Sequence, residues 1–254
     1  MNSISILGCG WLGKPLAKEL VDLGHVVKGS TTSETKVNEL SSMGVEPYLL
    51  TVDDLKEGKT DFLDSDVLVI CVTPKKLAEV DELIHRIEQS NTEHVLFISS
   101  TSVYYDDEYI INELSHLKPT PLAKLEEEFR FNDNFSSTIL RFGGLFGYER
   151  NPGNFFKEGK EIQNPDGVVN MIHQDDCIGI IAKIIKDQVW KTTLNACADS
   201  HPTRREFYTK MTQDAGHSKP EFDEDSEFSI KHVSSEKLKN TLSYEFKYPD
   251  LMEV

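Results

Sequence analysis

Three glycines near the amino terminus carry the clearest chemical signal. In ISILGCGWLGKPLAKEL, Gly8, Gly10 and Gly13 stand at GxGxxG spacing, the spacing that holds a dinucleotide pyrophosphate when a strand precedes it and a helix follows. Gly8 permits the tight turn, Gly10 lets the backbone approach the phosphates, and Gly13 lets helix and strand pack closely. Trp11 and Leu12 lie in the same loop. Free N–H groups at the helix start add donors and a partial positive charge. An anion can therefore be held even in a chain of net charge −16. A glycine turn without a ligand is the plainer alternative, and Lys14 either adds charge near the phosphates or is simply solvated.

The next stretch bears on which dinucleotide is bound. After the second apolar run, HVVKGSTTSETK presents Ser30, Thr31, Thr32 and Ser33, with no acid before Glu34. An acid at the strand end would bind a ribose 2′-hydroxyl and favour NAD. Hydroxyls with Lys36 or Lys28 suit a 2′-phosphate, so NADP is expected, with NAD as the alternative because no arginine is at hand. The same serines and threonines are also ordinary turn and capping residues. Val72, Thr73 and Pro74 follow the run DVLVICV. They are placed to line the crevice at the carboxyl ends of the strands, or only to end the strand.

The elements that must position these residues alternate. Strands are expected at Ser3–Leu7, His25–Gly29, Glu46–Leu50, Asp66–Val72, Glu93–Ser99 and Ser137–Phe142. Helices are expected from Leu12 to Leu23, then at Glu34–Met43, Lys75–Gln89 and Pro121–Phe131. Apolar residues recur at helical spacing in several of the helices, and glycines such as Gly24 stop them. Such alternation makes a parallel sheet with helices on both faces. The fold class is therefore α/β, a Rossmann-type doubly wound parallel sheet with a small C-terminal substrate lobe. Residues 1–145 form the NAD(P)-binding domain. Residues 146–254 form a lobe interleaved with the last Rossmann elements. The glycine-, proline- and asparagine-rich run RFGGLFGYERNPGNFF marks the change of texture. Beyond it, helices are expected at Asp175–Lys186 and Thr203–Ala215, with Phe207 and Tyr208 packing the lobe, and a short strand at Thr193–Ala196.

Bulk composition removes several function classes. A pI near 4.9 repels phosphate backbones and anionic lipid, so neither nucleic acid nor a membrane is an expected partner. Cys9, Cys71, Cys177 and Cys197 form no CxxC pair, and the histidines show no ligand spacing, so no metal is expected. Cys9, Cys71 and Cys177 read as small buried hydrophobes, and free thiols point to a reducing compartment. No leader-like apolar stretch is present, and the expected location is cytoplasmic.

Further along, FISSTSVYYD, ILRFGGLFG and NMIHQDD join ILGCGWLG in a pattern that resembles the extended and atypical short-chain dehydrogenase/reductases. The nearest likeness is to an atypical subgroup of NAD(P)-dependent epimerase/dehydratase-like proteins. HPTRREFY and the late YPD resemble it too. The resemblance implies a serine that orients substrate, a tyrosine that exchanges a proton with it, and a lysine that lowers the tyrosine pKa and grips the nicotinamide ribose. By motif the serine falls on Ser100, with Thr101 and Ser102 as neighbours, and the lysine on Lys124. Thr120 occupies the position of the YxxxK tyrosine, and an aliphatic hydroxyl is a far weaker acid than a phenol. Tyr104, Tyr105 and Tyr109 are the candidate replacements. Tyr104 matches a tyrosine common in the family, whereas Tyr105 stands where the family usually has glycine. The resemblance further places Ser99, Phe142, Gly143 and Gly144 beside the cofactor, and Ser102, Arg150 and His173 on the substrate side. Arg141, Arg204 and Arg205 also stand out against the acidic background.

Two functions are compatible with these residues. One is an NAD(P)-dependent oxidoreductase or epimerase/dehydratase acting on a small molecule. The other is a non-catalytic NADP(H)-binding sensor that has lost the tyrosine. The helices that pair extended members into dimers are here highly charged, so a monomer or a homodimer is expected.

Overall fold

A computed structural model of the chain describes residues 2–57, 60–72, 80–106, 110–156 and 160–254. Thr73, Pro74 and Tyr109 lie outside the described residues, as does the first part of the helix expected from Lys75.

The chain opens with β1 (Ser3–Leu7), α1 (Gly13–Asp22), β2 (Val26–Thr31), α2 (Glu34–Ser42), β3 (Glu46–Leu49) and α3 (Val52–Glu57). Next come β4 (Val67–Ile70), α4 (Val80–Glu88), β5 (His94–Ser100), β6 (Ile110–Ile111), α5 (Pro121–Arg130), β7 (Ser136–Phe142) and β8 (Gly144–Phe146). Then follow β9 (Met171–His173), α6 (Gln174–Asp187), β10 (Thr192–Ala196), α7 (Arg204–Asp214), β11 (His232–Val233) and α8 (Glu236–Leu242).

Seven strands form one sheet in the order β10-β7-β5-β4-β1-β2-β3. The pairings from β3 across to β5 are parallel. The order reverses at β1, with β2 and β3 on one side and β4 and β5 on the other. Open parallel sheets bind ligands at such a reversal, outside the carboxyl ends of the strands. The Rossmann-type doubly wound fold expected from the alternating pattern is what the chain adopts.

The apolar character of the inner strands explains their place. Val67, Leu68, Val69 and Ile70 are all fully buried, each gaining about 1.5–3 kcal/mol by leaving water. That double-sided burial requires helices on both faces. In α1, Leu16, Ala17 and Leu20 supply the buried stripe, and Gly24, at φ +86, turns the chain back into β2.

Three local features depart from the sequence expectation. The second strand runs on to Thr31, because Ser30 and Thr31 pair with Tyr48 and Leu49 of β3. Helix α3 stands where the sequence pattern assigned no element; its start is fixed by a reciprocal cap, Thr51 and Asp54 bonding each other's N–H groups. Two small sheets, β8 with β9 and β6 with β11, are too short to show any period.

The chain divides into two compact units. Unit 1 comprises Met1–Ser99, Pro119–Leu140 and Ile178–Thr193. Its core includes Leu7, Phe62, Leu68, Ile70, Leu83, Phe97, Phe129 and Ile139. Unit 2 comprises Ser100–Lys118, Arg141–Cys177 and Leu194–Val254, and its core includes Phe146, Met171, Phe207, Met211 and Leu251.

Unit 2 also has a buried polar frame. Arg141 is 1% exposed. Its Nη1 donates to Tyr104 Oη at 2.6 Å, and that hydroxyl donates to Asn195 Oδ1 at 2.8 Å. Burial pushes the Tyr104 phenol above its usual range, although the Arg141 guanidinium opposes the shift. Asp176, fully buried, accepts from Tyr244 Oη, Lys247 N and Tyr248 N at 2.7–3.1 Å, tying the C-terminal segment down.

Candidate functional site

The crevice in unit 1 begins at the glycine loop. Gly8 has φ +102, and a Cβ there would lie 2.8 Å from Val72 Cγ1. A Cβ on Gly13 would lie 2.3 Å from the carbonyl oxygen of Gly8, so any side chain would push α1 off the strand. Gly10 differs: it is exposed, and among the described residues nothing beyond its chain neighbours lies within 4 Å of its Cβ position. That space is what a pyrophosphate needs for close backbone approach. The N-cap of α1, Leu12, makes no side-chain cap bond, so the helix start keeps donors for an anion.

Ser30 builds the loop rather than merely facing it. It is 2% exposed, its Oγ accepts from Gly8 N at 2.8 Å, and its carbonyl accepts from Cys9 N at 2.8 Å. Thr31 Oγ1 accepts from Ser33 N at 3.2 Å. Thr32 and Lys36 are exposed. Ser30, Thr31, Thr32, Lys36 and Val72 join Gly8 and Gly10 around a cavity of about 590 Å³. Its wall also includes Leu50, Thr51, Val52 and Asp53, a segment the sequence reading left aside. The signal was available: this segment follows β3, whose carboxyl end borders the same edge of the sheet as those of β1 and β2. Trp11 is half-buried in the loop, Leu12 and Gly13 are buried, and none of these three lines the cavity.

Cys9 and Cys71 line the crevice as well. Burial pushes the Cys9 thiol up to about 12, so it stays protonated and unreactive at neutral pH. Cys9 and Cys177 are buried as expected and Cys197 is buried too, whereas Cys71, expected to be buried, is partly exposed.

Other candidates in unit 1 have local partners. Thr120 is the N-cap of α5, its Oγ1 accepting from Ala123 N at 3.2 Å. Lys124, one turn on, has a side chain 79% exposed, with Nζ 3.9 Å from Glu128 Oε1. Ser99 Oγ donates to the buried Glu126 carboxylate at 2.5 Å.

Unit 2 has its own cavity, of about 310 Å³. Ser100, Thr101 and Ser102 contribute one side and Gly143 and Gly144 another, with Asp106, Asn164, Asn170, Arg204, Tyr208, Ser229 and Lys231 completing the polar wall. Ser100 Oγ accepts from Ser102 N at 3.1 Å, which fixes the turn. The two glycines answer a packing need. A Cβ on Gly143 would lie 2.6 Å from Asn170 O, and one on Gly144 2.3 Å from Met171 Sδ. Phe142, between Arg141 and these glycines, is buried.

Not every substrate-side candidate reaches this cavity. Arg150 is exposed, its guanidinium 5.8 Å from the Phe155 ring centroid. His173 sits in an aromatic cluster, 3.9 Å from the Tyr248 ring and edge-on to Phe146. Burial lowers its pKa. Its Nδ1 accepts from Asp175 N at 3.2 Å, leaving the ring proton on Nε2. Neither residue lines the cavity.

The phenols separate clearly. Tyr104 is locked between Arg141 and Asn195, and Tyr105, 41% exposed, does not line the cavity. Tyr208 does, although its place on the Phe207 stripe suggested packing alone. Burial pushes the Tyr208 phenol up, and the nearby Arg204 charge opposes that. The signal lay in the periodicity of α7. Phe207 and Met211 share the core face, while Arg204 and Tyr208, also four apart, share the next one.

Among the described residues, no group of His, Cys, Asp or Glu side chains is placed to hold a metal ion. No described helix is long and apolar enough to cross a membrane.

Comparison with known proteins agrees with this geometry. Residues 3–119 match the family of the NAD binding domain of 6-phosphogluconate dehydrogenase. Protein YeeZ of Escherichia coli (strain K12) is 31% identical over 268 aligned positions, spanning 98% of this chain and 97% of YeeZ. The chain belongs to the YeeZ family. Among solved structures, a Methylobacillus flagellatus protein assigned by similarity to the NAD-dependent epimerase/dehydratases matches this YeeZ-family chain with TM-score 0.80. The two are 24% identical, over 99% of this chain and 95% of that one. UDP-glucuronic acid 4-epimerase from Bacillus cereus, solved in complex with NAD, matches with TM-score 0.78 and 15% identity over 99% and 93% of the two chains. These likenesses give the fold alone, an architecture this chain shares with those epimerase/dehydratase-like structures.

Proposed function

We propose that this protein is an NADP(H)-dependent oxidoreductase or epimerase/dehydratase acting on a small molecule. The observation that carries the reading is the 590 Å³ crevice at the reversal of strand order, walled by a glycine loop that leaves open space at Gly10. The residues fit a dinucleotide. Gly10 and the start of α1 bind the pyrophosphate, Ser30 holds the loop in shape, and Thr32 with Lys36 receive a 2′-phosphate. Among the described residues of that wall, Lys36 is the one cation, which favours NADP over NAD. A bound nicotinamide supplies hydride transfer. In unit 2, Ser100 orients a substrate oxygen, and Lys124 of unit 1 grips ribose hydroxyls, as the family resemblance implies. Four cysteines without a disulfide among them support a cytoplasmic location.

One observation favours the second reading, a dinucleotide-binding sensor. Thr120, standing for the tyrosine, spends its hydroxyl on capping α5 and leaves no acid there. Titration with NADPH and NADH, followed by Trp11 fluorescence in a Trp190→Phe background, tests the common element. Saturable binding that is tighter for NADPH is expected, and binding of neither would overturn both readings. Hydride transfer to a panel of carbonyl compounds then separates enzyme from sensor.

A further inference from the structure

We propose that the unit 2 cavity takes a small hydroxylated anion, a sugar acid or sugar phosphate carrying no nucleotide, and that Arg204 selects it. The inference rests on the oxidoreductase reading only in treating this cavity as the substrate pocket.

Charge is the first argument. In a chain of net charge −16, the described residues of this wall set Arg204 and Lys231 against one carboxylate, that of Asp106. That carboxylate is already committed. Lys118 Nζ lies 2.5 Å from its Oδ2, and Lys231 Nζ bonds its Oδ1. Burial pushes the Asp106 carboxyl up, but the two ammonium groups outweigh it and hold the group below its usual range. Asp106 therefore stays ionised and neutralised by lysines. Arg204 has no such counter-charge in the wall. Its Nη1 donates to the neutral carbonyl of Gln163 at 3.4 Å, near the limit for a hydrogen bond. The adjacent Arg205 is the opposite case, its two Nη atoms bonding both carboxylate oxygens of Glu224 at 2.9 and 2.7 Å. A guanidinium facing a cavity without a carboxylate partner suits a ligand carboxylate or phosphate, which its planar fork can grip bidentately. The start of α7 is not the anion site, because Thr203 and Glu206 close a capping box over it.

The second argument is the rest of the wall. Ser100, Ser102 and Tyr208 bring hydroxyl-bearing side chains to the same cavity, the kind of donor and acceptor that reads ligand hydroxyls, while Asn164 and Ser229 bond each other along its wall. Size is the third. A volume of about 310 Å³ is room for about ten water-sized groups at about 30 Å³ each. It lies at the foot of the range of about 300–1,000 Å³ for small-molecule pockets. A single sugar acid fills such a space, so the group held in this cavity is of that size.

The test is calorimetric titration of the full chain, saturated with dinucleotide, with D-gluconate, glucose 6-phosphate, glucose and UDP-glucose. At least one of the two small anions is expected to bind 10-fold or more tighter than glucose and UDP-glucose, and which one does so identifies the anion as carboxylate or phosphate. Arg204→Gln should bring that anion to the level of glucose, and Arg204→Lys should fall between, with the dinucleotide titration and melting temperature unchanged in both. Tightest binding by UDP-glucose, equal binding of glucose and the anions, or an unaffected R204Q variant would overturn the inference. So would the absence of binding by all four compounds in a protein that binds dinucleotide, and that result leaves the proposed function standing. Failure to bind dinucleotide would instead sink the proposed function, and the same panel without dinucleotide still reads this cavity.

Discussion

Replacing Gly10 with alanine should separate binding from stability. Among the described residues, nothing beyond the chain neighbours lies within 4 Å of the added methyl, and the position is exposed. Unliganded stability should therefore stay within about 0.5 kcal/mol of the parent. The methyl occupies the space through which the backbone would reach the pyrophosphate. Losing one or two bonds from N–H groups to a charged phosphate, at about 1.5–3 kcal/mol each, costs about 2.7 kcal/mol, or about 100-fold in affinity. Thermal unfolding with and without NADPH reads both quantities. At a concentration 100 times the parent dissociation constant, NADPH stabilises the parent by about 2.7 kcal/mol. A variant weakened about 100-fold gains only about 0.4 kcal/mol at that concentration. With about 2–4 °C per kcal/mol for a chain of this size, a ligand-induced shift of about 5–11 °C shrinks to about 1 °C. If Gly10→Ala kept the full shift, the assignment of the open space to a pyrophosphate would be wrong.

Gly13→Ala should show the reverse order of effects. Its Cβ would meet Gly8 O at 2.3 Å, so unliganded stability should fall by about 1–3 kcal/mol, readable as a lower urea midpoint. Tyr104→Phe removes the hydroxyl between Arg141 and Asn195. The loss of a charge-assisted bond, about 2 kcal/mol, should lower the melting temperature by about 4–8 °C; no change would mean the frame is dispensable. His201 is pushed down to about 4, mainly by burial and then by His232, so the folded chain binds fewer protons there than the unfolded one. Its contribution is complete above about pH 6.5 and is lost as the pH falls towards 4. His201→Leu should flatten that part of the melting-temperature profile. Thr120→Ala should cost about 1 kcal/mol through the lost cap and leave turnover unchanged; a collapse of turnover would give its hydroxyl a chemical part.

The glycine loop was legible because its demands are local. A tight turn, a close approach and a helix packed on a strand each forbid a side chain at one position, and the three spacings record that directly. The order of apolar strands and amphipathic helices was legible for a similar reason, since periodicity survives in a single sequence. Other features depend on contacts distant in sequence. Nothing near Asp106 in sequence announces Lys231, and nothing at Tyr104 announces Asn195. His173 attracted attention as a polar residue before a helix, yet its ring is spent on Tyr248 and Phe146. Tyr208 was the converse: it packs against the lobe core as its stripe implied, and it also lines the unit 2 cavity.

The two bonds from the glycine loop to Ser30 bear on how this chain could change its cofactor. In many dinucleotide enzymes the end of the second strand is the place where one cofactor is exchanged for the other by substituting a single side chain. Here that side chain also braces Gly8, and its backbone braces Cys9. A carboxylate at residue 30 would present an acceptor of different reach to the Gly8 amide and shift the turn under the phosphates. Conversion is open only further along, at Thr32 and Lys36, whose exposed side chains support nothing else in the loop. A substitution at residue 30 that keeps the bond to the Gly8 amide must therefore supply a small hydroxyl in the same place.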